Sequence, residues 1–241
     1  MSVGDIAPED GPRERILAAT AKLLAEGGRE AVSTRAVGAA AGVQAPTIYR
    51  LFGDKQGLLD AVAADGFTAY LAGKTDLEPG ADPVADLRTG WDLHVGFGLA
   101  NPALYQVMYE RTRGSVPPTP AEVAGVAVLA GHIRRIAEAG RLRVSEERAS
   151  LLVQAAGQGI TNTLISLPPD RRDPELAALA REAVIAAITT DAPAATDPAS
   201  GPVTAAVALR AVLPRTSALT ATEQALLRDW LDRIATAKPQ P

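Results

Sequence analysis

Outside the Pro/Ala-rich stretch 189–203, a small polar residue is followed at once by proline four times: Asp82-Pro83, Asn101-Pro102, Thr119-Pro120 and Asp173-Pro174. Proline has no N–H to donate, so inside a helix or a central strand it breaks the ladder. At the first helical position it costs nothing, and a preceding Asp, Asn or Thr satisfies the orphan donors of the first turn. Each pair therefore marks a helix start. Thr119-Pro-Ala-Glu122 and Thr220-Ala-Thr-Glu223 read as capping boxes, and Ser145-Glu-Glu opens another helix with acids in its first turn. Runs of β-branched and aromatic residues with period two are missing, and the Asp-Gly pair Asp65-Gly66 lies inside a helical pattern. The chain is expected to be all-α, with a Pro/Ala/Ser/Asp-rich exposed linker over residues 189–203.

The front of the chain carries the sharpest local pattern. After Gly11-Pro12, Ile16, Thr20, Leu23 and Leu24 recur at helical spacing until Gly27-Gly28 stops the helix. Ser33 caps a second helix with Val37 and Ala40/Ala41 on its inner face, and Gly42 ends it. Pro46 then opens a third, short helix that runs through Phe52. Lys55 begins a fourth, extending to about Gly73, with Leu58, Leu59, Val62, Phe67 and Tyr70 at its apolar positions. Three helices with a short glycine-containing turn between the second and third describe a helix-turn-helix.

Charge is placed accordingly. The net charge is −4, but residues 12–60 carry seven Lys/Arg against five Asp/Glu and form the only positive segment. Residues 1–11 hold three acids and no base, and are expected to be a disordered acidic tail. On the third helix, Ile48 and Phe52 point to the core while Gln44, Ala45, Pro46, Thr47 and Arg50 look outward. Arg50 suits guanine O6/N7, Gln44 suits adenine or a phosphate, and Ala45 and Thr47 permit close approach to a base. Ser33, Thr34, Arg35, Tyr49 and Lys55 supply donors for phosphates at the flanks. Taken singly, Tyr49 reads as a half-buried aromatic and Arg50 and Lys55 as solvated charges.

Other function classes find little support. The chain has no cysteine, which excludes thiol nucleophiles, thiolate metal sites and disulfides and suits a reducing cytoplasm. Its two histidines, His94 and His132, are far apart, and no Gly-rich phosphate loop, His-x-x-x-His pair or cofactor motif occurs. No segment approaches the roughly 18 consecutive apolar residues of a membrane span, and the amino terminus lacks a basic then apolar leader. A non-enzymatic, cytoplasmic protein is expected. A sequence-blind architectural protein would need a wider basic surface than this.

The stretch "TRAVGAAAGVQAPTIYRLFGDKQGLL", with the helix before it, closely resembles the DNA-binding domain of TetR-family transcriptional regulators. Thr34, Ala41-Gly42-Val43, Tyr49, Phe52, Lys55, Leu58 and Leu59 match the family pattern in order and spacing. The resemblance spans about residues 12–60. It implies a DNA-binding domain over 12–57 and a helical effector-binding and dimerisation domain over 58–241. It also implies that Thr34, Tyr49 and Lys55 hold phosphates while residues 44–47 and Arg50 face bases. Expected partners are a near-palindromic operator, a second copy of the chain and a small apolar or amphipathic effector, with no membrane. Gln44, Leu51 and Gly57 depart from the pattern, where a serine, a polar residue and an acid are usual.

Beyond residue 75 the sequence is less specific. Trp91, His94 and Phe97 share one helical face, and Tyr105, Met108 and Tyr109 share another. Either they form the core between two helices or they line an effector pocket with Arg88, Gln158, Thr161 and Asn162 as polar anchors. His94 has no second ligand at metal-binding spacing. The helix from Ser145 to Leu167 offers Leu152, Ala155, Ala156, Gly159, Ile160, Thr163 and Leu164 to a partner helix. The helix from Pro174 to Thr190 offers Leu176, Leu179, Ala183, Val184 and Ile188, and the resemblance assigns both to a dimer interface. A final helix carries Leu227, Trp230, Leu231 and Ile234 beyond the usual family length.

Overall fold

The structure is a computed structural model that describes residues 11–75, 80–111, 120–190 and 201–237. Among them the chain forms α1 (Pro12–Ala31), α2 (Thr34–Ala41), α3 (Ala45–Phe52), α4 (Lys55–Thr75), α5 (Pro83–Ala100) and α6 (Pro102–Arg111). There follow α7 (Pro120–Glu138), α8 (Glu146–Ser166), α9 (Leu176–Ile188), α10 (Pro202–Val212) and α11 (Ala221–Thr236). No strand forms among the described residues; the one extended pairing is an isolated antiparallel bridge between Leu142 and Thr189. The all-α reading of the prolines holds. The chain divides into two compact units, one of Met1–Gly73 with Phe97–Val123 and one of Lys74–Gly96 with Ala124–Pro241. That division differs from the expected boundary at residue 57, because α6 packs on α1.

In the first unit, α1 buries Ile16, Leu17, Thr20 and Leu24, and the Thr20 hydroxyl is satisfied by donating to the Ile16 carbonyl at 2.7 Å. Gly27 and Gly28 leave helical geometry, the latter at φ 64°, so the helix is broken where the glycines predict. Ser33 Oγ accepts the Ala36 N–H and caps α2. Gly42 closes α2 at φ 65°, a left-handed conformation that costs a residue with a Cβ roughly 1 kcal/mol or more. Ala41 is buried beside Val37, whereas Ala40 is exposed and not on the inner face. Leu58, Leu59, Val62, Ala63, Phe67 and Leu71 of α4 complete this core with Tyr105, Val107 and Met108 of α6.

The second unit is built on α5, whose Val84, Leu87, Trp91 and Val95 recur at spacings of three to four and are all buried. Ile133, Ile136 and Ala137 of α7 and Ala149, Val153, Thr161 and Leu164 of α8 join the same unit. Its rim is stitched by arginine. Arg88 reaches Glu182 through two guanidinium nitrogens at 2.9–3.1 Å, Arg181 pairs with both Asp92 and Glu182, Arg135 with Asp86, and Arg141 with Asp82 at 2.8 Å. Arg210 on α10 joins Glu147 on α8 to Asp232 on α11, at 2.8 and 2.7 Å.

Several expectations are corrected. The second helix of the expected dimer pair starts at Leu176 rather than Pro174; Asp173 Oδ1 takes the Glu175 N–H and the helix begins two residues later. Leu164 and Ile188 belong to the monomer's own core, at 2 % and 0 % exposure, while Leu152, Ala155, Gly159 and Leu179 remain exposed. The stretch 189–203 is not linker throughout, since Thr189 is buried in the bridge to Leu142 and Pro202 already opens α10. Helix α10 was not expected, though Gly201-Pro202 repeats the Gly11-Pro12 start of α1. The last helix divides its apolar stripe: Leu231 is buried and Leu227 packs on α10, but Trp230 and Ile234 face outward. The capping box at Thr220–Glu223 is present. The acidic tail at 1–10, the Thr119 cap and the linker's centre at 191–200 lie outside the described residues.

The rim pairs set an acid sensitivity. Hydrogen bonding from Arg88, and then from Arg181, holds the Glu182 carboxyl below its ordinary range, and Arg210 does the same for Glu147. A depressed carboxylate stabilises the fold above its unfolded pKa of about 4.3, and that contribution fades as pH falls. Burial raises Glu146 and works in the opposite sense. The thermal midpoint by circular dichroism is therefore expected to fall as pH drops from 5 to 3, with a shallower slope in Arg88→Met; equal slopes would show that the pair contributes nothing.

Candidate nucleic-acid interface

Helix α3 is eight residues long, too short to persist by itself in water. Its position is fixed by Ile48, which has no exposed surface at all. The chain enters α3 through a tight turn: the Val43 N–H donates to the Gly38 carbonyl at 3.0 Å, and the Thr47 N–H to the Gln44 carbonyl at 2.9 Å. With Ile48 inward, the 100° step of the helix turns Gln44, Ala45, Pro46, Tyr49 and Arg50 to solvent and leaves Thr47 half-buried. Among the described residues, the side chains of Gln44, Tyr49 and Arg50 engage no hydrogen bond or ion pair, and Tyr49 is half exposed at 51 %.

Around this face lie the expected phosphate donors, each seated differently. Arg35 is exposed on α2, and Thr34 is half-buried at its first position. The Ser33 oxygen is occupied as the α2 cap but keeps its own O–H to give. The Lys55 ammonium donates to the Arg29 carbonyl at 3.2 Å, so one of its three protons caps the end of α1 and two remain.

Some supporting residues were not anticipated. Asp54 Oδ1 accepts the Gly57 N–H at 2.7 Å and caps α4, a role legible in retrospect from an aspartate directly before the helix. Arg29 donates to Gln56 at 2.6 Å, Arg15 to the Ala41 carbonyl at 3.3 Å, and the Arg13 guanidinium lies 5.7 Å from the centre of the Phe52 ring. Together they join α1 to α2, α3 and α4 by contacts between side chains and helix ends, which periodicity does not reveal.

Gly57 also gains a reason. A Cβ there would stand 2.1 Å from the Phe52 carbonyl oxygen, so the backbone of α4 closes directly on the end of α3. The departure from an acidic residue is a steric requirement of this turn as well as a lost charge. Gly57→Ala is expected to destabilise the protein by about 1–3 kcal/mol in urea unfolding; an unchanged midpoint would mean that the turn relaxes freely.

The candidate effector residues fall in different units. Tyr105, Met108 and Tyr109 belong to the first, where Tyr105 and Met108 are core side chains at 0 % and 1 % exposure. The Tyr105 and Tyr109 rings lie 4.5 Å apart, and burial pushes the Tyr109 and Tyr70 hydroxyls well above their ordinary pKa. Arg88, Trp91, His94, Gln158 and Asn162 belong to the second. There Arg88 is taken by Glu182 and the Asn162 amide donates to the Gln158 carbonyl at 2.9 Å. Among the described residues no group of three His, Asp or Glu could hold a metal ion, and no helix is long and apolar enough to cross a membrane.

Residues 16–62 match the family model described as bacterial regulatory proteins of the tetR family. The fold is shared with a tetR-family bacterial regulatory protein from Rhodococcus RHA1, at 22 % identity and a TM-score of 0.59, covering 76 % of this chain and all of that one. A putative TetR-family regulator from Vibrio parahaemolyticus is 25 % identical, covers 75 % of this chain and 100 % of its own, and gives a TM-score of 0.55. A TetR variant from Acinetobacter baumannii in complex with minocycline is 21 % identical over 72 % of this chain and 94 % of that one, again at 0.55. Comparison with curated proteins gives no match.

Proposed function

We propose that this chain, a TetR-family regulator by its amino-terminal domain, is a sequence-specific DNA-binding transcriptional regulator that acts as a homodimeric repressor and leaves its operator when a small molecule binds. The observation that carries the reading is α3: one side chain is wholly buried, and the opposite face presents Gln44, Ala45, Pro46 and Arg50 to solvent, with half-buried Thr47 beside them. Pushed into a major groove, that face offers a guanidinium to guanine and an amide to adenine, with small residues beside them. Ser33, Thr34, Arg35, Tyr49 and Lys55 supply the phosphate contacts that fix its register. One such helix reads only a few base pairs, so a two-fold pair reading half-sites about 34 Å apart is needed for specificity. Exposed Leu152, Ala155 and Gly159 on α8 and Leu179 and Ala183 on α9 give a partner copy an apolar surface of small residues to approach.

Repression released by an effector requires the ligand to favour one conformation over another. Helix α4 is suited to carry that difference, because it begins at the Lys55 phosphate donor and continues through the core of the first unit. The minocycline held by one structural neighbour supports a small-molecule effector as a class. A helical small-molecule binder or enzyme without DNA function is the alternative reading; it gives no reason for Gln44, Tyr49 and Arg50 to stand together, exposed and without hydrogen bonds among the described residues, on the outer face of α3.

Fluorescence anisotropy on DNA flanking its own gene tests the proposal. Arg50→Ala is expected to weaken specific binding by about 1–3 kcal/mol and to relax preference at one base position. Lys55→Ala is expected to weaken binding to all sequences and to lower the salt slope by about one. If both variants bind as tightly as the parent, the interface is misassigned.

A further inference from the structure

Among its described residues the second unit contains one unsatisfied buried donor. Trp91 is 5 % exposed, and its indole Nε1 finds no acceptor among the described residues. A buried N–H left alone forfeits the hydrogen bond it makes to water, and native interiors leave few of them. A phenylalanine in its place would fill most of the same volume without that cost. The surroundings are closely fitted: a Cβ added to Gly157 of α8 would lie 3.7 Å from Trp91 Cζ3 and 3.6 Å from His94 Cδ2. Along α5, Leu87 and Val95 are one turn away on either side and buried; on α8, Val153 and Thr161 flank Gly157 and are buried too. The Thr161 hydroxyl spends its proton on the Gly157 carbonyl at 2.7 Å. Apart from the His94 imidazole and the Thr161 hydroxyl the setting is apolar, and the indole N–H awaits an acceptor.

Charge excludes one large ligand class. The arginines on α5 and on α9, Arg88 and Arg181, are held by Glu182 and Asp92, and Arg135 and Arg141 by Asp86 and Asp82. A carboxylate ligand would have to break one of these pairs or draw a proton onto His94 to be neutralised, and in largely apolar surroundings an unpaired anion is far costlier than a neutral oxygen.

We infer that Trp91 Nε1 receives the oxygen of a neutral, largely apolar ligand, a ketone, ester or ether, in the unit formed by α5 and α8. This rests on the effector reading above and gives it a ligand class and an anchoring residue; Trp91 is a binding residue here, not only core.

The test uses the full chain carrying Trp230→Phe, which leaves Trp91 as its one tryptophan and so gives a single indole N–H cross-peak in a nitrogen-15 spectrum. The probes are 2-nonanone, methyl octanoate and dibutyl ether, with nonanoate as the charged comparison. At least one neutral probe should move the cross-peak downfield with saturation, and nonanoate should not. Trp91→Phe, checked for its melting curve, should bind that probe about three- to tenfold more weakly by calorimetry, the loss of one neutral hydrogen bond. A cross-peak unmoved by all three neutral probes, or moved by nonanoate alone, overturns the inference. So does a persistent Overhauser effect to a resident water that no probe displaces. The same probes added to the DNA complex separate the two proposals. Cross-peak movement without DNA release keeps the Trp91 site and sinks the effector role; DNA release without movement keeps the effector role and sinks the Trp91 site.

Discussion

The burial of Ile48 is the interaction on which the front of the molecule depends. An eight-residue helix has too few internal hydrogen bonds to offset its nucleation cost, so α3 persists only because its inner side is driven into a core prepared by α1, α2 and α4. The surrounding devices all serve that placement. Gly42 turns the chain sharply enough to bring α3 back across α2. Asp54 and Gly57 let α4 begin almost on top of the last carbonyls of α3. Arg15, Arg29 and Lys55 then bind the ends of neighbouring helices with charge-assisted hydrogen bonds.

The second unit is held differently. Its helices meet through aliphatic stripes inside, while arginine–carboxylate pairs span the rim. Pairs this exposed contribute modest stability each, but they fix which helix lies beside which. Arg210 is the clearest instance, since one guanidinium joins three helices and sets the α10–α11 hairpin on the start of α8.

Local chemistry made much of the fold legible. Proline after a small polar residue gave the starts of α5 and α6, and the Gly27-Gly28 break and the Ser33 cap stand where the residue types require them. The inward set Val37, Ile48, Leu58 and Leu59 was readable because each follows helical spacing. What stayed hidden depends on contacts distant in sequence. Arg88 looked like a pocket anchor until Glu182, ninety-four residues away, claimed it. Leu164 and Ile188 looked available to a partner because an apolar stripe does not state which neighbour covers it. Gly57 looked like a missing charge because the approach of the Phe52 carbonyl is invisible in one dimension. Trp91 could be placed on an apolar face, but the lack of an acceptor for its N–H is a property of three dimensions only.

Because a single inward side chain anchors α3, its structural duty and its outward chemistry are written on different residues. Positions 44, 45 and 50 are exposed and stand outside the core that Ile48 completes. Duplicated copies of such a gene are free to drift at those three places while keeping the same melting behaviour. A lineage built on this scaffold therefore diversifies its binding preferences along a nearly neutral path, with the fold itself exempt from the search.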